Sequence, residues 1–162
     1  FVSYLMLTFF AYAITVIGFN LLFGYAGLLS FGHALFMAVG AYTAAFLTST
    51  FSVLYMEIIL VVSVIVASVL AALIGAICVR YIKIYFAMLT LAFGMLFHTF
   101  LLKFYYLTGG DDGMRVLRPY LFGFNLSEVP KMQFLTGSYY ISTFAILAIL
   151  TFIMWKIVSS PF

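Results

Sequence analysis

The feature that most constrains this chain is the spacing of its charges. No charged residue occurs in the first 56 positions, and later charge-free gaps run from Glu57 to Arg80 (22 residues), Lys83 to Lys103 (19) and Lys131 to Lys156 (24). A helix rises about 1.5 Å per residue and the bilayer hydrocarbon is about 30 Å thick, so roughly 20 uncharged apolar residues cross it once. Each later gap fits one span, and the first 56 residues hold two with a short connection. Composition points the same way. With 67% hydrophobic and 7% charged residues, against roughly 45–50% and about 25% in soluble domains, a water-soluble globule is excluded. An aromatic content of 20% excludes disorder. The expected class is an all-α membrane protein, a polytopic helical bundle with about five spans, near residues 1–19, 33–50, 58–79, 84–102 and 139–156.

The most apolar span is Ile58 to Val79, where fourteen residues are Ile, Val or Leu, worth roughly −4 to −8 kcal/mol of insertion free energy. It must be a helix, because in lipid every backbone polar group has to be satisfied within the segment. Ser63, Ala67, Ala71 and Gly75 recur every fourth residue, with Ser68, Ala72 and Ala76 alongside. Such a stripe lets a second helix approach closely; the alternative is an accident of composition.

Asn20, Gly24, Gly27, Ser30, Gly32 and His33 are concentrated in one stretch. Glycine has little helix propensity and polar side chains are costly in lipid, so a broken helix is expected near residues 20–33. Irregular backbone at membrane depth is tolerated where protein buries it or a water-filled cavity meets it, which makes this stretch the candidate pathway-lining segment. Ser30 is placed to cap a helix over about 31–50, and Gly40 with Ala44 adds a close-packing face.

From about 104 to 138 the composition turns polar, with Pro119 and Pro130 and the turn sequence Thr108-Gly-Gly-Asp-Asp-Gly113. The length suits a functional loop. Arg80, Lys83 and Lys156 fall on one side of the membrane by parity, and the short basic link places that side in the cytoplasm and the long loop outside. The chain begins at Phe1 rather than Met and ends at Phe162 without a polar tail, so it reads as a fragment.

Catalytic chemistry is not expected. His33 and His98 lie in different spans with no carboxylate at ligand or base spacing, so neither a metal site nor a triad pattern is present. His98 reads as an interfacial or packing histidine, and His33 either shapes a pathway or packs. Asp111 and Asp112 form a turn rather than a calcium loop, since regular oxygen ligands are missing. Gly109-Gly110 lacks the Lys and Ser/Thr of a phosphate-binding loop. Cys78 stands alone, excluding an internal disulfide or a cysteine metal site. The seven bases are scattered, so no nucleic-acid surface forms.

Two stretches go beyond composition. Asn20-Leu-Leu-Phe-Gly-Tyr-Ala-Gly-Leu-Leu-Ser-Phe-Gly-His-Ala-Leu-Phe-Met-Ala-Val-Gly-Ala-Tyr42 resembles the signature of permease subunits of branched-chain amino acid ABC importers. Ile84-Tyr-Phe-Ala-Met-Leu-Thr-Leu-Ala-Phe93, followed by Leu107-Thr-Gly-Gly-Asp-Asp-Gly113, is similar to that family's next landmarks, in order. Leu121-Phe-Gly-Phe124 and Ser160-Pro-Phe162 extend the likeness. Leu28 stands where the family often has Gln, and Lys83 where Gly is common.

The resemblance implies a multi-pass subunit of a prokaryotic inner membrane, corresponding to the N-terminal half of the permease. Its partners would be a related permease subunit, two cytoplasmic ATPase subunits and an external substrate-binding protein. ATP would bind to the partners, and this chain would hold no cofactor or metal and would carry no nucleic acid. The substrate pathway would be lined by Asn20, Gly24, Gly27, Ser30, Gly32 and His33. Ser63, Ala67, Ala71 and Gly75 would serve helix packing, and Asp111 and Asp112 would belong to the external docking loop. Two alternatives stay open: a permease for urea or short amides, and a passive channel or scaffold subunit.

Overall fold

A computed structural model describes residues 2–80, 83–116, 119–120 and 137–159. Among them are six α-helices: α1 (Val2–Asn20), α2 (His33–Ser49), α3 (Met56–Cys78), α4 (Lys83–Lys103), α5 (Tyr105–Thr108) and α6 (Ser138–Val158). No β-strand forms among the described residues, apart from a single parallel bridge between Tyr55 and Tyr120. The central part of the long loop, with Pro130 and Lys131, and the motifs at 121–124 and 160–162 lie outside the described residues.

Four helical segments are long and apolar enough to cross a membrane: Leu5–Tyr25, Met56–Cys78, Ile84–Lys103 and Tyr139–Val158. The fifth, α2, has 17 residues and is about 25 Å long, roughly 5 Å short of the hydrocarbon thickness. The residues that would lengthen it at its start are used by the break that precedes it.

Several threonine side chains within the helices are accommodated locally. The hydroxyls of Thr43, Thr48, Thr90 and Thr151 donate to carbonyls three or four residues earlier, at 2.7–3.0 Å. This is the usual way a threonine sits in an apolar helix without an orphaned donor. Around α3 most outward side chains are hydrocarbon, with Val61, Val64, Ile65, Val69, Leu73 and Ile77 all exposed, beside Ser68 and, in the first turn, Glu57. An apolar surface of that extent is intelligible only against lipid or other membrane helices.

The chain divides into two compact units, residues 1–26 with 126–162 and residues 27–125. In the first, α1 packs on α6: the Phe10 ring is buried and lies 5.3 Å from that of Tyr140 and 5.7 Å from that of Phe144, both tilted. In the second, α2, α3 and α4 bury Leu35, Val39, Ile59, Ile74, Cys78 and Phe86. After α4 the chain turns at Phe104, and buried Thr108 ties the turn down. Its hydroxyl lies 2.5 Å from the Leu101 carbonyl and 3.0 Å from that of Phe104, and it accepts from the Gly110 amide at 3.3 Å.

Candidate solute pathway at the helix break

The chain from Asn20 to His33 is not a continuous rod, but the interruption starts later than the sequence suggests. Asn20 is still helical (φ −62°, ψ −37°) and is followed by a π-helical turn, Leu21–Tyr25. The Ala26 amide donates to the Leu21 carbonyl at 3.2 Å, one residue wider than an α-helical bond. π-turns inside helices are rare and are frequently found at functional sites. The irregular stretch is 26–32, and the helix resumes at His33. Within this stretch Gly27 has a φ of +66°, a left-handed conformation that other residues adopt only with strain.

The expected pathway residues fall on both sides of a unit boundary at Ala26–Gly27. In the first unit, exposed Asn20 covers Gly24, its side-chain oxygen lying 2.7 Å from where a Gly24 Cβ would sit. In the second, Gly27 is exposed, Ser30 and Gly32 are buried, and His33 is half-buried with its ring 6.3 Å from that of Phe36. Ser30 does not cap α2. The N-cap is Gly32, with no side-chain capping bond, and Ser30 lies two residues further upstream. The residue is 3% exposed, and its buried hydroxyl has no hydrogen-bond partner among the described residues.

Gly32 is fixed by long-range packing. It lies against the Thr90 carbonyl of α4, which a Cβ at position 32 would strike, and a Cβ on Gly94 would come within 3.8 Å of the Gly32 Cα. Thr90 and Gly94 were not singled out from the sequence as packing residues. The signal was present, since Thr90-Leu-Ala-Phe-Gly94 is itself a small residue followed four positions later by another.

On α3, Ser63, Ala67, Ala71 and Gly75 are all half-buried, beside the row that carries Ile59, Ile74 and Cys78. A Cβ on Gly75 would meet nothing within 4 Å. Asp111 and Asp112 are exposed in a 3₁₀ turn, Gly110–Asp112, and the Tyr105 hydroxyl donates to Asp112 at 3.4 Å.

Long apolar helices, an interrupted segment after the first of them and internally satisfied threonines define a polytopic all-α membrane protein. The chain matches the family described as branched-chain amino acid transport system / permease component over residues 1–162, and it belongs to that family. It is 32% identical over 121 residues to the high-affinity branched-chain amino acid transport system permease protein LivM of Escherichia coli strain K12, covering 74% of this chain and 28% of that protein. To the protein of the same name from Salmonella typhimurium strain LT2 it is 33% identical over 118 residues, covering 72% of this chain and 28% of that one. The chain thus aligns with under a third of the length of these relatives. No solved structure gives a significant match.

Proposed function

We propose that this chain is part of the membrane-spanning permease of an ATP-driven importer for branched-chain amino acids, in a prokaryotic inner membrane, and that the segment from Asn20 to His33 borders the solute route. The observation that carries the reading is the break itself, a π-turn followed by an irregular, glycine-dependent stretch between two apolar helices. Backbone that leaves the helical pattern in lipid has to find polar partners, and a passing zwitterion with its water is one source of them. The similarity to the LivM proteins supports the choice of substrate.

In this reading the work is divided. A related permease subunit completes the bundle, two cytoplasmic ATPases supply the energy, and an external binding protein delivers the solute near Asp111 and Asp112. ATP-driven movement of the ATPases rocks the helices around a weak central site, opening it to one side and then the other. The chain has no catalytic step of its own. Ser63, Ala67, Ala71 and Gly75 give a neighbouring helix a close seat.

The test is leucine uptake by cells or proteoliposomes carrying the full-length permease and its partners. Uptake should require the ATPases; solute flux without them would overturn the importer reading in favour of a passive channel. Asn20→Leu, at an exposed helical position, should lower uptake at least tenfold with the amount of protein in the membrane unchanged. Undiminished uptake would remove the break from the route.

A further inference from the structure

The contact that seats the start of α2 on α4 also opens a space beside it. Gly32 and Gly94 bring the two backbones together, and next to this crossing lies a cavity of about 280 Å³. Its inner surface includes buried Gly32, Leu35 and Leu101, with half-buried Ala38 and Gly94. Exposed Met95 and His98 of α4 form its rim. Leu91, Met95 and His98 follow at four and three residues, so one face of α4 makes that wall. His98 is the one titratable side chain in the lining.

This space suits a small amphipathic solute. Its volume is just under that of pockets for drug-sized ligands, and about nine times the share of one water in the liquid. The inner surface is hydrocarbon, while the rim carries an imidazole, a group rarely turned to acyl chains. The larger cavity of the same unit, about 510 Å³ between α2, α3 and α4, lacks that combination. Its polar side chains are Tyr42, Thr43 and Thr108, and both threonine hydroxyls are bonded to backbone carbonyls.

We propose that the wedge between α2 and α4 takes the aliphatic side chain of the transported amino acid, with the His98 imidazole N–H donating to the solute carboxylate. The assignment rests on the import reading above and deepens it. Each solute methylene buried there contributes about fourfold in affinity, so the wedge would favour leucine over alanine.

The test uses the full-length permease with its partners and compares leucine with alanine uptake. Ala38→Leu fills the wedge from the α2 side and should raise the leucine KM more than the alanine KM, shifting their ratio at least fivefold. His98→Ala should raise both by about tenfold, and His98→Gln, which keeps a donor, should restore most of the loss. Ala38→Cys gives a measurement independent of transport: leucine should protect it from a small maleimide better than glycine does, against the fully buried native Cys78. An unchanged leucine-to-alanine ratio in Ala38→Leu, or equal labelling with and without leucine, overturns the wedge while leaving import intact. Absence of amino acid uptake by the unsubstituted transporter overturns both.

Discussion

Two stretches of this chain meet the same apolar solvent in opposite ways. From Met56 to Cys78, α3 is an uninterrupted helix whose outward side chains are mostly Val, Ile or Leu. From Asn20 to His33 the chain passes through a π-turn, a left-handed glycine and a helix start without a side-chain cap. The first stretch satisfies its backbone internally and so can be placed by hydrophobicity alone. The second cannot, and its position depends on a glycine pressed against the backbone of another helix. In lipid, regular structure is held by solvent and irregular structure by neighbours.

The sharpest way to break that contrast is a charge in the middle of the regular stretch. Ile65→Arg should cost about 3–4 kcal/mol of insertion free energy and remove most of the protein from the membrane fraction; normal integration would show that α3 is held by more than its hydrophobicity. Next in size is a methyl group at the seat of the irregular stretch. Gly32→Ala drives a Cβ into the Thr90 carbonyl, a backbone group that cannot swing aside, and should cost about 3 kcal/mol. Gly27→Ala has open space around it and loses only its left-handed backbone, about 1–2 kcal/mol. Thermal unfolding in detergent should rank them in that order, and the reverse ranking would mean that the turn, not the crossing, locates α2.

The smallest effect concerns the stripe on α3. Gly75→Ala meets nothing within 4 Å in this chain and should stabilise it by about 0.5–1 kcal/mol through helix propensity. If the stripe receives a helix of another subunit, the same substitution should weaken assembly. Co-purification of the permease subunits separates the two outcomes.

The helices were legible because charges are so rare that each one marks a boundary: Glu57 lies in the first turn of α3, and Lys103 closes α4. The break was legible from its glycines and Asn20. What escaped the sequence was its internal form. Asn20 reads as a breaker, yet it stays helical, because the chain widens to a π-turn before it departs. Ser30 looks like a cap, but Gly32 takes that position since only a residue without a Cβ fits against Thr90, some sixty residues away. Local propensity says where a helix is weak; the long-range contact decides where it restarts.

The bridge at Tyr55 and Tyr120 has a mechanical consequence. The Tyr120 amide donates to the Leu54 carbonyl at 2.5 Å, and the Met56 amide donates to the Tyr120 carbonyl at 3.1 Å, with the two rings edge to face. These two bonds act as a hasp that closes the 64 intervening residues into a ring. A tug on the chain beyond Tyr120 therefore reaches the first turn of α3 directly, without travelling along α4.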